Sequence, residues 1–268
     1  MDAALEDVEF LALSANRVEV LQSLATGSRS RSDLAAETGA SQATLGRILG
    51  DFEERSWVRR SDGAYEATAT GRLVASAFSD LLDVLETERQ LRDIVADLPT
   101  DAMEFDLARL ADATITVPTE TRPNAPLQRL IDLEREAETI CAFSHAFNEQ
   151  TLALTAERAA DGDVSFSGVF SRSAIGALAS ESALRRRLET LLGADAASVR
   201  VRDDGVPLAG TLVDDRVHLL VRDDSGVLRA SIDTDDPAVV SWAEDAFERY
   251  WSDATPLDRD DIADCDTD

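Results

Sequence analysis

The chain contains no lysine: all 26 of its basic residues are arginine, against 53 acidic residues, and the net charge is −27 over 268 residues. Its two cysteines, Cys141 and Cys265, provide neither a disulfide framework nor the spacing of a zinc site. No apolar run approaches the roughly 18 residues of a membrane span, and the acidic amino terminus is unlike a signal peptide. These absences predict a cytoplasmic protein without membrane contact, metal or cofactor. The length of 268 residues suggests about two domains.

The acidic surplus is the main compositional feature. Together with the frequent alanine, valine and aspartate residues, it resembles the composition of proteins from extremely halophilic archaea. In molar salt an acidic surface keeps a protein hydrated, and its self-repulsion is screened because the Debye length is about 3 Å at 1 M. The charge therefore indicates a saline cytosol and does not identify a substrate. Only the tail, residues 253–268, is predicted to be an acidic disordered segment.

A helix-turn-helix pattern begins at Ser32 and extends to the end of the next helix. Gly39 supplies the positive φ of a tight interhelical turn, and Ser41 is positioned to accept hydrogen bonds from the first amides of a helix running from Gln42 to Arg55. The apolar residues of that helix recur at helical spacing and predict one buried stripe, formed by Leu45, Ile48, Leu49 and Phe52.

The opposite face of this helix bears only small, polar or cationic residues: Ser41, Gln42, Thr44, Gly46, Arg47 and Gly50. A face of that kind fits a DNA major groove, where bulky aliphatic side chains do not. Residues 28–72 contain seven arginines and seven acids, so this segment is neutral and the entire acidic surplus lies outside it. The segment is therefore predicted to bind double-stranded DNA.

A hairpin follows the helix, because the Asp62-Gly63 pair between two short strands is a strong turn signal. With it, residues 8–98 resemble winged-helix regulators of the ArsR and MarR type, apart from Ser56, where these regulators usually have glycine. The matching positions are Leu34, Ala35, Gly39, Ser41, Thr44, Leu45, Arg47, Leu49, Trp57, Val58, residues 59–68, Thr70 and Gly71.

The resemblance implies specific DNA contacts. Gln42, Thr44 and Arg47 are expected to contact base edges, and Ser41 a phosphate. Arg59 and Arg60 are expected to hold the DNA backbone or minor groove beside the wing. Two structural alternatives remain: Arg47 pairs with Asp51 at i+4, or the wing arginines only block edge pairing.

A long helical pattern over residues 72–98, ended by Pro99, follows the winged helix-turn-helix domain, which is assigned to residues 1–71. Its apolar residues alternate at spacings of three and four, which predicts a connecting helix that pairs with a second copy of the chain. A homodimer places two recognition helices on a palindromic operator. The alternative is that the stripe packs against its own chain. The apolar positions are Val74, Ala77, Leu81, Val84, Leu91, Val95 and Leu98.

Residues 110–252 are predicted to form an α/β domain, so that the chain as a whole is an α+β multidomain protein. Strands at 113–117, 139–143 and 164–170 alternate with helices at 124–133, 148–160 and 182–192, and four further strands and a helix at 237–251 follow. Residues 206–219 and 240–251 resemble the effector domain of archaeal regulators related to the methanogenesis regulatory protein and to TrmB, which is similar to half of a phospholipase D fold.

A phospholipase D centre requires a histidine followed two residues later by lysine, which this lysine-free chain cannot provide, so no enzyme activity is expected. A small anionic or sugar-like effector is expected beyond the carboxyl ends of the parallel strands. The candidate ligands there are Ser144, His145, Asn148, Ser171 and Arg172, although ordinary helix capping explains several of them equally well.

The sequence thus predicts a sequence-specific, homodimeric transcriptional regulator of promoter DNA, responsive to a small molecule through its C-terminal domain. A winged-helix protein-interaction module of the transcription machinery that does not read bases is the alternative.

Overall fold

The structure, a computed structural model, describes residues 2–263 and divides into two units between Glu86 and Thr87. The N-terminal unit contains five helices and a two-stranded antiparallel hairpin, in the order α1 (Asp2–Ala12), α2 (Ala15–Thr26), α3 (Arg31–Thr38), α4 (Gln42–Glu54), β1 (Val58–Ser61), β2 (Ala64–Ala67) and the start of α5 (Ala69–Leu91). This is a winged helix-turn-helix, as the sequence predicts.

Local capping sets the turn between α3 and α4. Ser30 and Asp33 form a reciprocal capping box, so α3 starts at Arg31. Gly39 ends α3 in the left-handed region with φ of 68°, and the Ser41 hydroxyl accepts a hydrogen bond from the Thr44 amide at 3.1 Å. The predicted stripe of α4 is buried against α1, α2 and α3, and comprises Leu45, Ile48, Leu49 and Phe52.

The wing also has the predicted geometry. Asp62 and Gly63 at its tip have φ of 50° and 83°, which suits a tight hairpin turn. Ser56, which replaces the usual glycine after α4, adopts φ of 59°. Its carbonyl accepts a hydrogen bond from the Thr68 hydroxyl at 2.7 Å, which ties the end of α4 to the return of the wing.

The connecting helix is shorter than predicted. The α-helix ends at Leu91 instead of Leu98, and three 3-10 turns follow at Val95–Asp97, Thr100–Ala102 and Leu107–Leu110. Leu91, Ile94 and Leu98 belong to the core of the C-terminal unit. These three side chains reach the same core because the chain turns after Leu91, and a straight helix does not continue to Pro99.

An eight-stranded mixed sheet forms the centre of the C-terminal unit. The strands are β3 (Thr114–Thr116), β4 (Thr139–Ser144), β5 (Ser165–Ser171), β6 (Ala197–Arg202), β7 (Ala209–Val213), β8 (Arg216–Arg222), β9 (Leu228–Thr234) and β10 (Thr255–Pro256). Their spatial order is β10-β6-β5-β4-β7-β8-β9-β3. The strands β4, β5 and β6 are parallel, and the other pairs are antiparallel. The predicted parallel core with antiparallel hairpins is therefore confirmed.

Helices cover the sheet, and a hydrophobic core fills each side. The helices are α6 (Ala125–Glu134), α7 (Glu149–Asp161), α8 (Arg172–Ser180), α9 (Ser182–Leu192), α10 (Pro237–Ser252) and α11 (Arg259–Ala263). One core joins β4, β5 and β6 to α7, α8 and α9, and the other joins α10 and residues 91–110 to β7, β8 and β9. No helix within residues 2–263 combines the length and apolarity needed to cross a membrane.

Two segments differ from the predictions. Helix α8 was not expected; it is capped by the Ser171 hydroxyl, which accepts from the Ala174 amide at 3.2 Å. The segment predicted as disordered, 253–268, contains β10 and α11 within its described part. Leu257 and Ile262 are buried in the core despite their acidic neighbours. Residues 264–268, with Cys265, lie outside the described residues.

Candidate nucleic-acid interface and interior cavity

The outer face of α4 presents the side chains predicted to meet DNA. Ser41, Gln42 and Arg47 are exposed, and Thr44 is half-buried. The hydroxyls of Ser41 and Thr44 lie 2.9 Å apart and form part of the helix cap. The helix therefore displays one amide and one guanidinium beside a capped amino terminus, whose free amides suit a phosphate.

Arg47 has no ion pair or hydrogen bond with any residue that the structure describes. Asp51, its possible partner one turn later, instead approaches Arg17 on α2 at 3.7 Å. The intrahelical salt bridge considered from the sequence is thus not formed. The Arg47 guanidinium remains exposed and available for an external acceptor such as a guanine edge.

Two glycines occupy the same outer face in the interior of α4. A Cβ atom at Gly50 would meet nothing within 4 Å, and one at Gly46 would first meet the Arg31 side chain at 3.9 Å. Packing within the described chain therefore does not require either glycine, although each costs roughly 0.5–1 kcal/mol relative to alanine in a helix. By contrast, a Cβ at Gly71 would lie 1.9 Å from the Trp57 carbonyl oxygen. Packing of the described residues therefore explains Gly71 but not the two glycines on the outer face of α4.

Arg31 is a site residue that the sequence did not single out. Its guanidinium lies beside Gly46, and its Nη2 donates to the Tyr65 hydroxyl of the wing at 3.3 Å. Its Nε is buried without a hydrogen-bond partner among the described residues. Arg31 therefore joins α4 to the wing. The only available signal was its place in the neutral segment 28–72, shared with six other arginines.

The two wing arginines have local partners. Arg59 pairs with Glu66 directly across the hairpin, with Nε 2.6 Å from Oε1. The Arg60 guanidinium lies 5.6 Å from the centre of the Tyr65 ring. The Arg59–Glu66 ion pair is exposed, so it costs little to exchange for a phosphate. The Arg60 side chain is exposed and lies over the ring of the buried Tyr65.

An apolar surface extends over α5 and α1 of the N-terminal unit. Leu81 and Val84 have exposed fractions of 41% and 50%, and Leu82 and Leu85 beside them are exposed as well. A groove of about 290 Å³ lies next to this surface, between α1 and α5, and is lined by Val8, Leu11, Trp57, Val74, Phe78 and Leu81 among others. The predicted stripe is therefore divided: Val74 packs on its own unit, Leu91 and Leu98 pack in the other, and Leu81 and Val84 remain uncovered in the single chain.

The structure brings two of the five residues predicted to bind an effector together, since the Ser171 hydroxyl donates to the His145 carbonyl at 3.4 Å, but the five do not line one cavity. The Asn148 side chain caps α7, the Ser171 hydroxyl caps α8, and exposed Arg172 pairs with Asp203. Ser144 makes hydrogen bonds with the backbone of Ala146. Ser144 and Asn148 line one cavity, whereas His145 lines a separate depression beside Pro207.

The cavity lined by Ser144 and Asn148 lies between the sheet and helices α6 and α7, and its volume is about 60 Å³. Its walls are mostly leucine, alanine and phenylalanine, with the buried polar side chains Glu134, Thr155 and Thr211 among them. Burial raises the pKa of Glu134 to about 8. The sequence contained a signal for Glu134, since it continues the buried spacing of Leu127 and Leu130 along α6.

A second buried polar cluster lies on β8 and β9. Asp233 is fully buried and accepts two hydrogen bonds from Arg129, at 2.9 and 2.7 Å, and one from Arg216 at 3.3 Å. His218, the Cα neighbour of Asp233 across the strands, has an exposed fraction of 1%, and burial lowers its pKa to about 4. The Asp233 carboxylate and the Pro126 backbone oppose this lowering of the pKa without overcoming it. Neither ring nitrogen makes a hydrogen bond of normal geometry with the described residues.

Potential metal ligands are dispersed. Within residues 2–263 no group of three or more histidine, cysteine, aspartate and glutamate residues is arranged to hold a metal ion.

Comparison with protein families gives two matches in tandem. Residues 5–90 match the HVO_A0261 N-terminal domain, and residues 123–253 match the middle domain of the methanogenesis regulatory protein FilR1. The first match covers the winged helix, and the second covers the sheet from just before α6 to the end of α10. No curated protein matches the chain.

Several solved structures are similar to the chain. TrmBL2, described as an archaeal chromatin protein with a novel mode of DNA binding, is 15% identical with a TM-score of 0.42, over 93% of this chain and 98% of that one. Nuc of Salmonella typhimurium, a phospholipase D family member, is 13% identical with a TM-score of 0.41, over 55% and 99%. NucT of Helicobacter pylori is 13% identical with a TM-score of 0.42, over 54% and 98%.

Proposed function

The chain belongs to the archaeal winged helix-turn-helix regulators that join an HVO_A0261-type N-terminal domain to a FilR1-type middle domain. From this premise we propose that the protein binds promoter DNA as a homodimer and recognises the DNA sequence through α4. Its C-terminal unit responds to a small molecule. The family membership supports DNA binding and transcriptional regulation, while the base reading, the dimer and the effector are argued below from individual residues.

The outer face of α4 is the observation that carries base reading. It combines an exposed, unpaired Arg47 with two helix-interior glycines that no packing within the described chain requires. Such glycines lower the stability of a helix, and the need for another surface to approach it closely explains why they are tolerated. Double-stranded DNA meets this requirement, because a recognition helix enters the major groove and an arginine there can donate two hydrogen bonds to guanine. Gln42 and Thr44 are the further base contacts.

Phosphate contacts surround this face in the proposal. The Ser41 hydroxyl and the free amides of the α4 amino terminus donate hydrogen bonds to one phosphate, and Arg31 reaches the DNA backbone between α4 and the wing. Arg59 and Arg60 exchange their local partners for phosphate or the minor groove. In these roles the residues position α4 without selecting the base sequence.

The uncovered apolar residues of α5 support a homodimer. Leu81, Leu82, Val84 and Leu85 lie within five residues and are all exposed in the single chain. Such a cluster on a chain of high negative charge is explained most simply by a second copy, since a symmetric helix pair buries the same residues on both sides. A dimer through α5 also sets two recognition helices about 34 Å apart for a palindromic site.

The test is a comparison of wild-type chain with Arg47→Ala by chromatin immunoprecipitation and sequencing in the cells of origin. We expect discrete promoter peaks that share a palindrome, and their loss in the variant, because a bidentate arginine-guanine contact contributes roughly 1–3 kcal/mol of discrimination. Arg186→Ala is the matched control, since Arg186 is an exposed arginine on α9 that contacts only the Ser182 carbonyl of its own helix among the described residues. Diffuse occupancy, unaltered in Arg47→Ala, would instead support a protein-interaction module.

A further inference from the structure

Glu134 is a buried carboxyl of the C-terminal unit with an oxygen that lacks a hydrogen-bond partner in the part of the chain that the structure describes. Its exposed fraction is 4%, and its Oε2 atom has no hydrogen-bond partner among the described residues. The nearby Arg158 guanidinium donates to the backbone carbonyl of Glu134 and not to its carboxylate. Burying a carboxyl without a partner is costly, and a leucine at this position of α6 would continue the apolar stripe at no such cost. The carboxyl therefore has a use other than packing.

This unpartnered carboxyl lines the cavity of about 60 Å³ between the sheet and helices α6 and α7. Three phenylalanines share the lining, and two of them, Phe147 and Phe170, stack with ring centres 3.9 Å apart. Aromatic faces attract cations, and a buried carboxylate pairs with them. The remaining walls are aliphatic, apart from the hydroxyls of Ser144, Thr151, Thr155 and Thr211, the Asn148 amide and the Arg222 guanidinium.

We propose that this cavity is the effector site of the regulator and that it binds a small aliphatic amine, whose ammonium group pairs with Glu134 and whose carbon chain lies against the phenylalanine and leucine walls. This inference rests on the proposed regulatory function and names the chemical class of its ligand.

Charge selects this class over the other candidates. An anion would enter a protein whose net charge is −27, and Glu134, protonated or not, offers it no positive charge. The cavity has one basic side chain, Arg222; its Nη1 donates to the Gly226 carbonyl at 2.9 Å, and its buried Nε has no partner among the described residues. A sugar would need many more polar partners than the mostly apolar walls supply, because each buried hydroxyl requires a hydrogen bond. Size also limits the ligand to a few non-hydrogen atoms unless the helices move.

Binding exchanges one proton. In the free protein the raised pKa of about 8 keeps Glu134 protonated at neutral pH. When an ammonium ion enters, Glu134 releases its proton to solvent and the ion pair remains in the cavity. Affinity for the ammonium ion therefore increases with pH between about 6 and 8. Arg222 is the other ionisable side chain of the lining.

A larger amine couples the cavity to the rest of the unit. The cavity touches α6 through Glu134 and Leu130 and α7 through Leu152 and Thr155. Any ligand longer than the cavity must displace these helices, and a ligand changes a regulator only to the extent that it binds two conformations differently. The amine is thus an effector if its binding alters the affinity for DNA.

The test uses isothermal titration calorimetry on the full chain in molar KCl with n-butylammonium, n-butanol and butyrate as probes. We expect saturable binding of butylammonium alone, weakened about tenfold or more in Glu134→Gln, because a hydrogen bond to a charged group contributes roughly 1.5–3 kcal/mol. Glu136→Gln, an exposed glutamate two residues away, is the matched control for nonspecific attraction to the acidic surface and should bind as the wild type does.

A second variant distinguishes loss of the binding site from loss of the fold. Thr155→Leu fills part of the cavity with carbon and leaves Glu134 in place, so it should also exclude butylammonium while its circular dichroism stays that of the wild type. Equal binding of butanol and butylammonium, or full binding by Glu134→Gln, would overturn the amine site.

DNA binding is measured separately on the same samples. Loss of amine binding in Glu134→Gln with unaltered operator affinity of the free protein supports the site, and a change in operator affinity on adding butylammonium supports its effector role. Amine binding that leaves the operator affinity constant overturns the effector role. Absence of operator binding in all samples overturns the proposed function, and in that case the calorimetry still shows whether the cavity binds the amine.

Discussion

Ser56 and Glu134 each hold an unfavourable state, and of these two only Ser56 has a local explanation. Ser56 adopts a left-handed backbone, which a non-glycine residue reaches at a cost of about 1–2 kcal/mol, but hydrogen bonds from Thr68 and Thr70 to its carbonyl hold the turn. Glu134 is buried with an unpartnered oxygen, and no described group neutralises it. A ligand that pairs with the Glu134 carboxyl would therefore offset the cost of burying it.

The raised pKa of Glu134 predicts that the folded protein loses stability as the pH rises. The folded-state value is about 8 and the ordinary value is 4.5, so between these limits the unfolded chain releases a proton that the folded chain keeps. The free energy of unfolding then falls as pH rises from 4.5 to about 8 and levels off above it. At pH 7 the cost is on the order of 3 kcal/mol, from about 1.4 kcal/mol per pKa unit.

Glu134→Gln removes this titration. We expect the variant and the wild type to unfold with similar free energies below pH 4.5, and the variant to become progressively more stable toward pH 8. Urea denaturation at fixed KCl across this pH range measures the difference. Glu136→Gln should follow the wild type at every pH, and a pH-independent offset in Glu134→Gln would contradict the raised pKa.

At the scale of elements, the two glycines on the outer face of α4 lower the stability of this helix. Replacing Gly46 and Gly50 together with alanine should raise the free energy of unfolding by roughly 0.5–1 kcal/mol per site, since neither Cβ meets a close neighbour. The same pair of methyl groups should weaken operator binding, because they enlarge the side chains on the face that we propose enters the major groove. Urea denaturation and fluorescence anisotropy with an operator duplex provide the two readouts.

Gly176→Ala on α8 is the control for this pair, because a Cβ there also meets nothing within 4 Å. It should stabilise the C-terminal unit and leave DNA affinity unaltered. If the α4 double variant binds the operator as tightly as Gly176→Ala does, the outer face of α4 does not enter the DNA.

The α5 helix carries the proposed dimer contact. Leu81→Glu combined with Leu85→Glu places charge on the exposed cluster, and the chain should become monomeric because like charges then face each other across the two-fold axis. Sedimentation equilibrium in molar KCl measures the mass. Val227→Glu changes an exposed apolar residue of the C-terminal unit and should leave the mass unchanged. A dimer that persists in the double variant would assign the contact elsewhere.

For the whole molecule, the charge distribution decides the response to salt. The net charge is −27, yet the segment 28–72 is neutral. Protein and DNA therefore repel each other apart from the local contact, and salt screens this repulsion. Cation uptake between the acidic surface and phosphate opposes the usual release of counterions from DNA.

Operator affinity should accordingly remain constant or rise between about 0.5 and 2 M KCl, where an ordinary basic DNA-binding protein loses affinity steeply. Fluorescence anisotropy titrations across this range measure the salt slope, and Arg47→Ala should shift the curve without changing its direction. A steep monotonic fall in affinity would show that release of counterions dominates, as in a basic protein.

Sequence alone determined the winged helix, because the contacts that define it are short in range. Gly39, Ser41 and the Asp62-Gly63 turn act on neighbours within a few residues, and the stripe of α4 is a property of helical periodicity. The alternating pattern of the second domain likewise determined most of its strands and helices. Helix α8 was the exception, since its cap at Ser171 lies inside the hydrogen-bonded end of β5.

Only the tertiary structure decided which distant groups meet. Asp51 pairs with Arg17 and leaves Arg47 exposed, and the segment after α10 becomes ordered because β10 pairs with β6 and Leu257 and Ile262 reach the core. The burial of Glu134 follows the spacing of its own helix, but its lack of a partner depends on the strands that enclose it and that come later in the chain. Such features depend on packing between segments far apart in sequence, and local periodicity carries no record of that packing.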